Sequence, residues 1–303
     1  MTAWPPLPYA EWRETRDTLH MYTQVLGKLR LALSPFEPQW ANVPLYVTAR
    51  GLGTSPMPVG DRALEGELDF IDNVLVLRTS DGGIERRDLG GSVADYYGDV
   101  VRALARLGVD VTLSIVPSEV SDPIPFPEDR RHHTYDPGQA LRFWRLLVAI
   151  DTVLREHHAG FRGRTPPVCF FWGTFDLAIV RSSGRAVPVR PGAGIIERYG
   201  GNVEQICAGW WPGDERYPEP AFYAYAYPKP DGIERATIKP AGAAWNTTIG
   251  EFIMPYEFVR SSADPRGAIT EFLRSTYDVG ANALDWSSDL TQIDVPERRA
   301  ANG

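Results

Sequence analysis

The stretch from Cys169 to Arg181, CFFWGTFDLAIVR, is hydrophobic and aromatic but carries an acid in its middle. A run of this composition predicts a strand with at least one buried face. An ionised carboxylate among aromatic neighbours is costly unless it is paired or hydrogen-bonded. Asp176 therefore indicates either a structural network, such as a salt bridge to Arg181 or Arg50, or a ligand site.

Alternation along this predicted strand assigns its side chains to two faces. Trp172 and Thr174 share a face with Asp176, and an indole, a hydroxyl and a carboxylate together are typical of a wall that contacts a ligand. Phe170 belongs to the same face. The opposite face is predicted to be core and consists of Phe171, Phe175, Leu177 and Ile179.

Along the rest of the chain, segments with apolar residues at helical spacing alternate with short β-rich runs bounded by Gly, Pro, Asn and Asp. This pattern predicts an α+β fold of antiparallel sheets flanked by helices. Helices are predicted at 9–33, 92–108, 136–158 and from 264 onward. Strands are predicted at 43–50, 64–72, 74–79, 84–89, 109–116, 168–181, 206–211, 222–227, 233–240 and 251–256.

The order helix, meander, helix occurs twice along the chain. We therefore predict two similar halves, 9–120 and 130–288, which meet across a cleft within a single α+β domain of residues 9–288. Residues 1–8 are predicted to be an N-terminal tail, and residues 289–303 a frayed C-terminal tail.

Composition limits the classes of partner. The 303 residues are 43% hydrophobic and 23% charged, which is enough for a large core. A net charge of -8 argues against nucleic acid, because phosphate binding depends on clustered Lys and Arg. The sequence has no basic amphipathic helix and no long apolar run, so we expect no contact with a membrane. The N-terminus lacks the pattern of a secretion signal, so we expect a cytoplasmic protein.

Metal and nucleotide signatures are missing from the sequence. Cys169 and Cys207 lie in apolar runs and are expected to be reduced core thiols, since no cysteine pair has ligand spacing. The adjacent residues His132 and His133 are expected to be structural or exposed. We predict no metal site, and the identity of any cofactor stays open.

The first predicted helix carries a polar ridge. Arg16, His20, Gln24 and Lys28 follow one another at steps of four, so they lie on one side of that helix. Such a ridge either lines a pocket or is a solvated face. Polar helix faces are usually solvated, but histidine, amide and lysine together raise the weight of a pocket, because they offer a proton carrier, an amide group and a cation.

The run Phe222-Tyr-Ala-Tyr-Ala-Tyr227 alternates between two residue types. Tyr223, Tyr225 and Tyr227 share one face, which either stacks on a ligand or is an outer amphipathic surface. The alanines on the other face allow a helix to pack closely. Further along, Glu251 is the best candidate for a second carboxylate beside Asp176.

These residues lead to one hypothesis and two alternatives. We expect a cytoplasmic acid–base enzyme for a small polar organic substrate, in which His20 transfers a proton while Asp176 or Glu251 orients it or acts as base. The alternatives are a non-catalytic small-molecule binding protein and a structural scaffold with a buried polar network. Oligomeric state stays open. Substrate contacts, including a cation for an anionic group, are expected from Gln24, Lys28, Arg50, Trp172, Thr174, Arg181, Tyr223, Tyr225 and Tyr256.

Several unusual motifs occur in order along the chain, among them TLHMYTQVLGK at 18–28 and FFWGTFDL at 170–177. With LYVTARGL at 45–52, YAYAYP at 223–228 and Gly250-Glu-Phe, the chain resembles an uncharacterised bacterial family, a domain of unknown function. The resemblance covers nearly the whole chain and implies no catalytic residues. Gln39 stands before Trp40 where the family is expected to have histidine, which weakens a metal site there.

Overall fold

The computed structural model describes residues 4–291 and arranges them in two six-stranded antiparallel sheets with six α-helices. The predicted α+β class and antiparallel sheets are confirmed. The N-terminal part has the order helix, sheet, helix, and the C-terminal part repeats that order with a short helix inserted between its strands. A relationship between two similar halves stays a prediction. No helix within 4–291 is both long enough and apolar enough to cross a membrane.

Local capping chemistry fixes where three of the helices begin. The side chains of Ser92, Asp136 and Asp264 each accept a hydrogen bond from the backbone amide three residues later. The helices are α1 (Tyr9–Leu33), α2 (Val93–Arg106), α3 (Pro137–His158), α4 (Ile195–Gly200), α5 (Tyr256–Ser261) and α6 (Pro265–Ala283).

The N-terminal sheet is a meander of short strands. They are β1 (Tyr46–Val47), β2 (Gly51–Gly53), β3 (Met57–Val59), β4 (Arg62–Asp69), β5 (Val74–Thr79) and β6 (Ile84–Asp88). The strand order is β1-β2-β4-β5-β6, and β3 pairs separately with β4. The turn after β5 is closed by the Thr79 amide, which donates to the carbonyl of Gly83 over 2.9 Å.

The C-terminal sheet positions the candidate site. Its strands are β7 (Cys169–Phe171), β8 (Asp176–Ala186), β9 (Val203–Trp211), β10 (Ala221–Tyr227), β11 (Ala244–Asn246) and β12 (Glu251–Pro255), in the order β11-β12-β10-β9-β8-β7. Helix α6 packs on β9 and β10, and the close approach of Gly280 to Ala226 shows that it covers the alanine face. The tyrosine face of β10 therefore lies on the side of the sheet that faces away from α6.

The run 168–181 is a hairpin, so the prediction of one continuous strand is wrong. Strand β7 ends at Phe171 and β8 begins at Asp176, and these two residues pair in register. The turn between them places Phe175 at a left-handed φ of 62°. Phe171 therefore shares the face of Asp176, whereas Phe170 is in the core. Periodicity misses this turn because its residues are as apolar as the strands around it.

Two other predicted strands are absent from the part of the chain that the structure describes. The run 109–116 buries Val109 and Leu113 but pairs with no strand. The run 233–240 begins with a 3₁₀ turn at Ile233–Arg235, and Ile238 is its second buried residue. In both segments the apolar residues anchor a loop to the core, which gives the same periodicity as a strand.

Helix α1 runs through the middle of the protein. Its residues from Thr18 to Arg30 are all buried, on every side of the helix. Polar side chains on a helix of this kind must find partners inside the protein, because water does not reach them. The hydrogen-bond partners of the polar ridge on α1 therefore indicate its structural role.

The two predicted tails differ in what the structure describes. Residues 4–8 pack against the domain, since Leu7 is buried and the carbonyl of Pro5 accepts a hydrogen bond of 2.8 Å from the hydroxyl of Tyr256. The predicted frayed tail of residues 289–303 lies, beyond Thr291, outside the described residues.

Candidate functional site

A cleft of about 1210 Å³ lies over the tyrosine face of the C-terminal sheet. Its floor comes from β8, β9 and β10, and its walls come from the C-terminal part of α1, the loop after α2 and helix α4. Seven of the residues predicted from the sequence line it, namely Lys28, Trp172, Thr174, Asp176, Tyr223, Tyr225 and Glu251.

Asp176 is buried at the floor of the cleft, with 6% of its surface exposed. The hydroxyls of Thr174 and Tyr223 donate hydrogen bonds to its two carboxylate oxygens. Burial raises the pKa of the carboxyl, and the two hydroxyl donors act against that rise. No Lys, Arg or His of residues 4–291 forms a salt bridge with it, so the alternative of a pair with Arg181 or Arg50 is wrong.

Tyr223 reaches Asp176 across a strand that has no side chain in the way. Gly209 of β9 stands opposite Tyr223 in the sheet register. A Cβ atom at that position would lie 2.8 Å from the phenol oxygen. Glycine is thus required for the hydrogen bond, although the sequence analysis did not single it out. Its isolated position between aromatic and apolar strand residues is the signal that could have found it.

Glu251, the first residue of β12, brings a second carboxylate to the cleft. Burial raises its pKa to about 7, the charge of Asp176 adds to the rise, and Arg216 opposes it. Arg216 is itself bound to Asp214, with 2.7 Å between the guanidinium nitrogen and the carboxylate oxygen. Glu251 therefore exchanges its proton close to neutral pH.

Glu119 is a third carboxylate, which the sequence analysis missed. It lies in the proline-rich loop after α2 with a left-handed φ of 59°, and its side chain crosses the open face of Gly173. Desolvation and the charge of Asp176 raise its pKa, while Lys28 lowers it. No local pattern marks an acid in such a loop, because its position depends on a hairpin more than fifty residues away.

The polar ridge of α1 is buried, so the alternative of a solvated face is wrong. Nε2 of His20 lies 3.0 Å from each of the carbonyl oxygens of Trp172 and Gly173, which it meets as a donor. Burial lowers the pKa of His20 to about 3, with the charge of Arg16 contributing, so the imidazole is neutral. His20 does not line the cleft and holds the hairpin turn by its backbone.

Gln24 and Lys28 hold the second loop of the cleft wall. The amide of Gln24 donates to the carbonyl of Ser118 over 2.8 Å and accepts from the Ser118 backbone N–H over 3.0 Å. Nζ of Lys28 donates to the Ser118 hydroxyl over 2.6 Å and lies 5.5 Å from the centre of the Trp172 ring. Burial lowers the pKa of Lys28, and Glu119 opposes that change.

Four predicted substrate contacts do not line the cleft: Gln24 lies behind its wall, and three others lie further away. Arg50 pairs with Asp69 and Asp72 beside the N-terminal sheet. Arg181 occupies the opposite face of β8, because residues an odd number of positions from Asp176 point away from it. There it donates to the carbonyl of His157 and lies over the rings of Phe161 and Tyr277. The hydroxyl of Tyr256 is bound to the N-terminal segment.

The mouth of the cleft is formed by a second group of aromatic side chains. Phe36, Trp40 and Tyr199 contact one another edge to face, with ring centres 5.1 to 5.9 Å apart. The indole N–H of Trp40 donates to the carbonyl of Ile196 in α4 over 3.1 Å. The Gly- and Pro-rich segment around α4 is thus a wall of the site.

Acidic side chains outnumber basic ones around the cleft. Five carboxylates line it against two cations, Lys28 and Arg216. Within residues 4–291, His, Cys, Asp and Glu form no group of three that could hold a metal ion. The thiol of Cys207 also faces the cleft, but burial raises its pKa to about 12 and leaves it a poor nucleophile.

Comparison with known proteins identifies a family whose function is unknown. The model of a family of unknown function, DUF5996, matches residues 4–293. No curated protein and no solved structure matches the chain.

Proposed function

The chain belongs to the DUF5996 family, whose function is unknown, and we propose that it is an enzyme for acid–base chemistry on a small polar organic substrate. The observation that supports this proposal is the pair of carboxylates in the aromatic cleft, Asp176 and Glu251. In the proposed mechanism Glu251 transfers the proton and Asp176 is the fixed anion beside it.

The two carboxyl groups have environments that suit different roles. General acid–base catalysis is most efficient when the pKa of the group lies near the working pH, and Glu251 meets this condition. Asp176 has two hydroxyl donors that stabilise its charged form. Where the environments of two acids separate their pKa values, one acid commonly carries the proton while the other stays an anion.

The remaining residues of the cleft have positioning roles in this proposal. Trp172 is an apolar wall for the substrate, and its ring packs against the backbone of α1 at Gly27. His20 and Gln24 act through the loops that they hold, so the proton-carrying role expected for His20 passes to Glu251. Tyr223 keeps Asp176 in place.

The test compares the wild type with Glu251→Gln in a mixture of cell metabolites, followed by mass spectrometry. We expect compounds that the wild type consumes and the variant leaves unchanged. Glu65→Gln is the matched control, since Glu65 is exposed on the N-terminal sheet and does not line this cleft. This control should consume the same compounds as the wild type.

The competing functions give different results in the same experiment. A compound that binds to the wild type and is recovered unchanged would favour the non-catalytic binding protein. A scaffold would bind nothing, and Asp176→Asn would then act only on folding stability. For the compartment we propose the cytoplasm, which the two free, buried cysteines support because they suit a reducing environment.

A further inference from the structure

We infer that the ligand of this cleft carries an organic cation, such as a substituted ammonium group, which binds between the carboxylates of Asp176 and Glu251 and the aromatic rings around them. This inference names the substrate class of the proposed enzyme and rests on the same cleft. It replaces the anionic group expected from the sequence.

Most charged side chains at the cleft already have partners of opposite charge. Glu197 pairs with Arg190 at 2.6 Å, and Asp214 pairs with Arg216 at 2.7 Å. Lys28 lies near Glu119, and the two shift each other's pKa as opposite charges do. Asp176 and Glu251 form no salt bridge within residues 4–291. Arg216 acts on the pKa of Glu251 only from beyond salt-bridge distance and is itself bound to Asp214. A cationic ligand would therefore give each of the two carboxylates a direct partner of opposite charge.

Aromatic rings line the same cleft as the two carboxylates. Tyr223 and Tyr225 are stacked with ring centres 6.4 Å apart, and Trp211 contacts Tyr223 edge to face at 5.7 Å. Trp172 forms the neighbouring wall and already has the Lys28 ammonium over its ring. Aromatic faces attract ammonium groups, most strongly where water is excluded. Rings and carboxylates together are a recognised arrangement for alkylated ammonium ions.

The cleft suits anionic ligands and neutral polar ligands less well than cations. An anionic ligand would need a free cation, yet Arg50 and Arg181 lie elsewhere, and the two cations that line the cleft, Lys28 and Arg216, already have partners. A neutral polyol could donate its own hydroxyls to the two carboxylates, but it would bring no positive charge to them. Neither kind of ligand would reduce the repulsion between Asp176 and Glu251, whereas a cation does.

The test uses choline and its uncharged carbon analogue, 3,3-dimethylbutan-1-ol, as a pair of probes of nearly equal shape. Isothermal titration calorimetry measures the affinity of each probe for the purified full chain. We expect choline to bind at least about tenfold more tightly than the analogue, since one tenfold step corresponds to roughly 1.4 kcal/mol. Equal affinity for both probes, or no choline binding at millimolar concentration, overturns the inference.

Variants locate the charge that is recognised. Glu251→Gln should weaken choline binding by roughly fivefold or more while the affinity of the analogue stays constant. Glu65→Gln should change neither. If Glu251→Gln leaves choline affinity unchanged, the inferred site is wrong. Because Asp176 is buried, Asp176→Asn is used only if circular dichroism shows it folded, and the conclusion does not depend on it.

The outcome for this inference is separable from the outcome for the proposed enzyme. Choline binding without any consumed metabolite would retain the cation site and contradict catalysis. Consumption of only neutral or anionic metabolites would retain catalysis and contradict the cation site.

Discussion

The hydroxyl of Tyr223 donates a hydrogen bond to Asp176 from two strands away, across the position of Gly209. This contact links β10 to β8 on the face that forms the floor of the cleft. It fixes a buried carboxylate without the help of a cation, and it leaves the charge of that carboxylate available to a ligand.

Tyr223→Phe should destabilise the fold and raise the pKa of Asp176 further. The substitution removes one of two donors to a buried carboxylate, and we expect a loss of about 1.5–3 kcal/mol in the free energy of unfolding. Urea denaturation measures the change. Tyr225→Phe is the matched control on the same strand and face, and it should cost clearly less. Equal losses for both variants would show that the bond to Asp176 contributes nothing of its own.

Gly27→Ala should destabilise the protein although alanine favours helices. A Cβ atom at Gly27 would overlap the indole of Trp172, which cannot move without disturbing the cleft wall. Overpacking of this kind costs about 1–3 kcal/mol. Gly98→Ala in α2 is the control, because its nearest neighbour is the flexible end of Arg102. It should stabilise by up to about 1 kcal/mol, and thermal unfolding of both variants separates the two effects.

Gln24→Ala should release the loop that carries Glu119. The variant removes two hydrogen bonds to the backbone of Ser118 and leaves both backbone groups unsatisfied. We expect faster hydrogen exchange at the Ser118 amide, measured by mass spectrometry on the folded protein. Gln139→Ala, which removes an exposed bond to Glu11, should leave that exchange rate unchanged. An unchanged rate in Gln24→Ala would mean that other contacts hold the loop.

Glu251→Gln should increase stability, but only at neutral and alkaline pH. The folded protein holds this proton with a pKa of about 7 against an ordinary value of 4.5, so it binds more protons than the unfolded chain between these values. Stability is therefore lost as the pH rises through this window, and the variant avoids the loss. We expect a gain on the order of 1–3 kcal/mol at about pH 8, and little at about pH 4.5. Urea denaturation at both values tests this, and a gain of equal size at both would contradict it.

Local signals in the sequence predicted much of the fold. The caps at Ser92, Asp136 and Asp264 set the starts of three helices, and alternation assigned the two faces of β10 correctly. These features depend on residues within a few positions of one another, so the chain itself contains the information. The turn in FFWGTFDL was missed because hydrophobicity does not distinguish a tight apolar turn from a strand.

The candidate site depends on contacts between distant segments. Spacing showed that His20, Gln24 and Lys28 share one side of α1, but it could not show that two loops cover that side. Glu119 and Gly209 became visible only once the loop after α2 and the sheet were in place. Asp176 was predictable because a lone acid in an aromatic run is unusual wherever it lies.

The charge of Asp176 raises the pKa of Glu251 in the cleft, and an NMR titration of carboxyl carbons tests this interaction most directly. Glutamate labelled with ¹³C, assigned by comparison with Glu251→Gln, gives the pKa of Glu251 in the folded protein. We predict a value of about 7 that falls when Asp176→Asn removes the neighbouring charge. A value near the ordinary 4.5 in the wild type, or one that Asp176→Asn leaves unchanged, would contradict it.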